Sequence, residues 1–162
     1  MFKKNDFVVY KKDACKIKDV KKNGFQGNDY FVLSPIDDDS LTIEVPITSL
    51  AVRSLISKKE VTSIIKDIPS IEVIDETNDK IIEQEYRRLL SSGEHRDLIK
   101  IIKTTYLRNK NRELNNKKIG EKDDNYFKKA EKILYNEFSL VLNKSFSETK
   151  KYVADQVIKN SK

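Results

Sequence analysis

Few residues in this chain could do bond-making chemistry. It has one histidine, His95, and one cysteine, Cys15, 80 positions apart. A metal centre needs several converging ligands, and a nucleophilic site needs a base with an orienting partner. One His and one Cys supply neither pattern. His95 is therefore expected as a surface residue at a helix end, and Cys15 as a small residue within an alternating strand. The run Asp37-Asp38-Asp39 offers carboxylates. It lacks the alternating oxygen ligands and closing Glu of a calcium loop, so a solvated turn is expected. No GxGxxG or P-loop stretch is present to cradle a nucleotide. The expectation is a non-enzyme with no cofactor, no metal and no small-molecule substrate. An enzyme would require His95 to gather with carboxylates in a pocket.

Charge offers a different chemistry. The net charge is +6, with pI about 9.2. Residues 60–79 carry 1 basic and 6 acidic side chains, whereas residues 80–118 carry 11 basic and 5 acidic ones. Positive charge is thus concentrated just after an acidic connector. Such a patch attracts phosphate backbones, although Lys and Arg also serve simply to solvate helix surfaces. On charge alone Lys80, Arg87 and Arg88 are candidates for phosphate contact. Tyr86, beside the two arginines, could press on a groove while they hold phosphates. For the recurring aromatics Tyr106, Tyr126, Phe127 and Phe138, core packing is the better explanation. No apolar run approaches the roughly 18 residues needed to span a bilayer, and no apolar leader opens the chain. With a single cysteine this implies a cytoplasmic protein without a membrane partner.

Two kinds of element carry these residues. Phe7 to Tyr10, Ala14 to Val20, Tyr30 to Leu33 and Leu41 to Val45 are short strands separated by turn formers, which predicts a barrel or strongly bent sheet. Pro46 ends the last of these. Ser57 with Glu60 is a capping-box pattern opening a helix that stops before Pro69. Ser70 to Asn78 is acidic and aperiodic, a connector. Ile82, Tyr86 and Leu89 form a helical stripe ending near Gly93, and Leu98, Ile101, Ile102 and Thr105 mark the next helix. Asn109 to Lys118 is polar and Asn-rich, which predicts a surface loop. Phe127 to Val141 keeps helical spacing, with Glu137 at the edge of the stripe. Tyr152, Val153, Gln156 and Val157 form a last helix, with Ser147 as its expected cap. At 162 residues the chain suits one ordinary domain or two small ones.

The order of these pieces resembles the CarD family of bacterial transcription regulators. In the first part the resemblance rests on Phe2-Lys3 followed by Asp6, Val8, Val9 and Tyr10, on Tyr30 to Leu33, and on Leu41-Thr42-Ile43-Glu44-Val45-Pro46. In the second it rests on Leu90-Ser91-Ser92-Gly93-Glu94, Gly120-Glu121-Lys122 and Lys129-Ala130-Glu131-Lys132-Ile133-Leu134. The resemblance implies an α+β protein. Its small N-terminal Tudor-like antiparallel β-barrel, residues 1–54, would bind the RNA polymerase β subunit. A C-terminal all-α helical domain, residues 55–162, would contact promoter DNA near the upstream edge of the open bubble. Carried over by position, Asn23, Gly24, Phe25 and Glu44 would meet the polymerase, while Lys122 and Lys129 would approach DNA. Two departures stand out. Many members have Arg where this chain has Asn23 and Glu44, and the family Trp that wedges into the minor groove is replaced near Asp79. A polymerase-bound module without DNA contact is therefore the alternative.

Overall fold

Strand β1 (Phe7–Tyr10) sends Val8 and Val9 to opposite faces, and both are fully buried. A strand with that pattern must be covered on two sides. In the computed structural model, which describes residues 1–161, one side is the sheet's own core and the other is the helical part. β2 (Asp13–Lys21), β3 (Tyr30–Pro35), β4 (Ile43–Pro46) and β5 (Val52–Ser54) complete an antiparallel sheet of order β4-β3-β2-β1-β5. The pairings Val8 with Cys15, Ile17 with Leu33 and Phe31 with Val45 stack six buried side chains on one face. Val9, Ala14 and Arg53 share the opposite face by register, where α4 (Glu121–Leu142) packs against β2. A register shift between Ile17 and Asp19 bends β2. The sheet is open, with β4 and β5 as its two margins.

The remaining helices are α1 (Lys58–Asp67), α2 (Asp79–Ser92), α3 (His95–Leu114) and α5 (Phe146–Asn160). Ser57 and Glu60 cap α1 reciprocally as expected, and Gly93 ends α2 in the left-handed region at φ 65°. Val61, Ile82, Leu89, Leu98, Leu134, Phe138 and Val153 anchor a second core, separate from that of the sheet. Among the described residues no helix is long and apolar enough to cross a membrane. Lys162, the last position of the expected helical part, lies outside them.

Three local expectations need correction. The Asn-rich segment is helical through Leu114, because Arg108 and Arg112, one turn apart, are both anchored on Asp123 of α4. The loop shrinks to 115–120. The cap of α5 is Ser145, which forms a capping box with Glu148, rather than Ser147. The connector is strapped down rather than merely acidic. Ile71 and Ile74 pack on the helical core, the Ile74 amide donates to Thr104 Oγ1 at 3.0 Å, and Lys103 Nζ donates to the carbonyls of Ile68 and Ile71.

Candidate functional site

Glu137 lies where the sheet meets the helices and is only 4% exposed. Arg53 grips it with both nitrogens, Nη1 to Oε2 at 2.8 Å and Nη2 to Oε1 at 2.9 Å. The Ile56 amide donates to Oε2 at 2.9 Å, and His95 Nε2 lies 2.8 Å from Oε1. The His95 ring also stacks on Phe138. Burial alone would raise the Glu137 pKa, but the bonds from Arg53, His95 and Ile56 together lower it to about 2. Both carboxylate oxygens are thus committed to the protein itself, the arrangement of a lock rather than a catalytic base. His95 is correspondingly not an open surface residue, and Glu137 lies within the buried face of α4 rather than at its edge. Helical spacing holds the clue: Glu137 is seven residues from Ala130 and so shares its side of α4. Asp37 adds a second tie, binding Lys132 Nζ at 3.0 Å and accepting from Asn136 Nδ2 at 3.1 Å. Asp37, Asp38 and Asp39 nevertheless all stay exposed in the turn expected of them.

A second buried carboxylate, Asp123, organises the start of α4. It accepts from Tyr86 Oη at 2.7 Å, Arg108 Nε at 2.9 Å and Arg112 Nη1 at 2.6 Å. Burial opposes its charge, yet these donors hold its pKa below the usual carboxylate value. Burial and the adjacent Asp123 push the Tyr86 phenol well up. Tyr86 is 2% exposed, so it cannot press on a groove, and that expectation is corrected. Gly120 lies against the Arg112 guanidinium: a Cβ there would sit 2.5 Å from Nη1, so the Arg112 side chain would have to shift. Neither Asp79 nor Tyr86 is free to act as a wedge. Asp79 is held by Arg108 at 2.8 Å, and the exposed apolar side chain on that first turn is Ile81, at 47%. Among the described residues no three His, Cys, Asp or Glu side chains gather as metal donors.

The Asn23, Gly24 and Phe25 positions form the tip of the β2–β3 hairpin. Asn23 adopts φ 53°, the Gly24 amide donates to Asn28 O at 2.7 Å, and a short 3-10 turn follows over Phe25–Gly27. The tip holds Phe25 out to solvent, 74% exposed. The Ile47 amide donates to Asp29 O at 3.2 Å, which brings the end of β4 beside this tip. Glu44 lies on β4 and forms an ion pair with Lys21 across the sheet. Because β4 pairs with β3 alone, the outward backbone groups of the margin carrying Glu44 meet no further strand.

Four of the five basic candidates converge. On α2, Lys80, Glu83 and Arg87 fall on one side at helical spacing; on α4, Lys122 and Lys129 do the same. Glu83 joins the two helices, paired with Arg87 and with Lys122 Nζ at 2.6 Å. The Tyr86 and Tyr126 rings touch at a tilt of 43° with centroids 5.0 Å apart, and Lys129 Nζ lies over the Tyr126 ring. Lys80 and Lys129 have no carboxylate partner among the described residues. Arg88 is turned about 100° away by helix geometry and pairs with Glu85, so it does not join the stripe. Tyr106 is exposed rather than packed in the core.

Over the described residues the chain is thus an α+β protein with a five-stranded antiparallel sheet and five α-helices. No protein-family model matches it, and no curated protein matches it in sequence.

Proposed function

We propose that this chain is a cytoplasmic, CarD-like transcription regulator. In this reading residues 1–54 form a bent, Tudor-like barrel left open between β4 and β5, which binds the RNA polymerase β subunit. Residues 55–162 form the helical part that modulates initiation by touching promoter DNA backbone. The observation that carries the reading is the unpaired β4 margin beside the solvent-held Phe25. An exposed edge can accept a partner strand through backbone bonds, and an adjacent aromatic supplies an anchor. The Lys80, Arg87, Lys122 and Lys129 stripe supports the DNA half, since phosphate contacts need positive charge without base readout. Ile81, exposed at the start of α2, is the apolar side chain nearest the place of the missing Trp.

Pull-down of purified polymerase core by the full chain tests the first half. Retention that is abolished by Phe25→Asp supports it, and absence of retention at micromolar concentration contradicts it. One observation favours a second reading, a polymerase-bound module without DNA contact. Glu83 pairs with both Arg87 and Lys122, and Glu85 with Arg88, so two of these three positive charges are already offset. The dependence of DNA affinity on salt separates the two readings, because several phosphate contacts give a steep slope.

A further inference from the structure

The β4 margin is narrower than the strand itself. The Ile47 amide donates to Asp29 O at 3.2 Å, in the register that pairs Tyr30 with Pro46 and Phe31 with Val45. Hydrogen-bonded pairs alternate along an antiparallel ladder. A bond at Ile47 therefore turns the amides and carbonyls of Val45 and Ile43 toward β3 as well. Those of Glu44 and Pro46, and of Thr42 one residue before the strand, point out of the sheet.

Pro46 has no N–H to give, and its carbonyl already accepts from the Ser49 amide at 2.9 Å. That end of the margin is closed to a further strand, and an edge is where a sheet tolerates proline. Thr42 and Glu44 are both exposed, and their backbone groups meet no other partner among the described residues. The open window is thus two residues, each with one donor and one acceptor. So short an edge also resists pairing between copies of the chain.

We infer that this window takes a three-residue extended segment of the partner, antiparallel to β4 and in one register. The first and third residues of the segment exchange both backbone bonds with Glu44 and Thr42. The middle residue falls opposite Ile43 and points to the inner face, where Ile43 is only partly buried against the sheet core. A large apolar side chain there extends that core. The outer two side chains lie beside Thr42 and Glu44 on the other face. Glu44 is already paired with Lys21, so those positions need only be polar. The partner segment is therefore polar, apolar, polar, with Phe25 as a separate anchor. The inference rests on the polymerase reading for the identity of the partner and adds the register.

Two measurements on the full chain test it. Amide exchange followed by NMR reads the window without any partner. The Thr42 and Glu44 amides should exchange roughly tenfold or more faster than those of Ile43, Val45 and Ile47. Slow exchange at Glu44 overturns the inference whatever polymerase does. Affinity for purified RNA polymerase core then reads the register. Glu44→Pro removes an outward donor and should weaken binding roughly tenfold or more, whereas Glu44→Ala keeps the backbone and should stay within roughly threefold. Circular dichroism checks folding; if Glu44→Pro does not fold, Thr42→Pro removes the other outward donor from outside the strand. Equal losses in Glu44→Pro and Glu44→Ala assign the contact to the side chain and overturn the inference, as does full binding by the proline variant. No binding by the natural chain, with fast exchange at Glu44, contradicts the polymerase reading and removes the partner named here.

Discussion

Replacing Glu137 with Gln keeps the shape of the side chain and removes its charge where the two cores meet. The charged form is favoured in the fold by Arg53, His95 and the Ile56 amide, which bring the pKa from 4.5 to about 2. A carboxylate with a lowered folded-state pKa stabilises the fold fully above its unfolded value, and loses that contribution as pH falls through the folded value. A difference of about 2.5 units corresponds to about 3 kcal/mol at pH 7, an upper estimate given that Arg53 is partly exposed. By pH 3 the same linkage leaves about half of it. Urea unfolding of the natural and Glu137→Gln proteins at several pH values reads this difference directly. The gap should be about 2–3 kcal/mol at pH 7 and narrow steadily below pH 4.5. Because the sheet core and the helical core are separate, the variant should also unfold in two steps, the sheet first. A gap under about 0.5 kcal/mol, or one that does not change with pH, would refute the lock.

Other expectations follow from single contacts. Tyr86→Phe removes the bond to Asp123 while leaving the ring, and should cost about 1–2 kcal/mol in urea unfolding without changing affinity for DNA. Ser145→Ala should cost about 1 kcal/mol by removing the cap of α5, whereas Ser147→Ala should be near neutral in the same assay. If DNA is bound, Lys80→Ala and Lys129→Ala should each flatten the plot of log affinity against log salt by about 0.9. Arg88→Ala should leave that slope unchanged, and equal effects at all three positions would remove the stripe from the account.

Local signals were legible where a few neighbouring residues decide the outcome. Ser57 with Glu60 specifies a helix start, Gly93 its neighbour's end, and the Ile82, Tyr86, Leu89 spacing a buried face. Ser145 with Glu148 carries the same capping signature as Ser57 with Glu60, and there the sequence reading settles on the wrong serine. What escaped it depends on distant partners. Residues 109–114 look like loop by composition but are helical, because Arg108 and Arg112 find Asp123 eleven or more positions away. Glu137 reads as a stripe-edge charge until Arg53, 84 positions earlier, is seen to be on the helix-facing side of β5. Tyr86 reads as available because of its arginine neighbours, whereas its hydroxyl is committed to a buried carboxylate. The candidate turn and the basic stripe were visible as residues, but not their grouping. Helical angle, not adjacency, separates Arg88 from Arg87.

Whether the margin beside Phe25 engages polymerase decides the proposed function. Biolayer interferometry of the full chain against purified RNA polymerase core measures this directly. Micromolar or tighter binding should be seen, abolished by Phe25→Asp and by proline at Glu44, and unaffected by Tyr106→Ala. Binding that survives both sheet substitutions, or no binding at all, contradicts it.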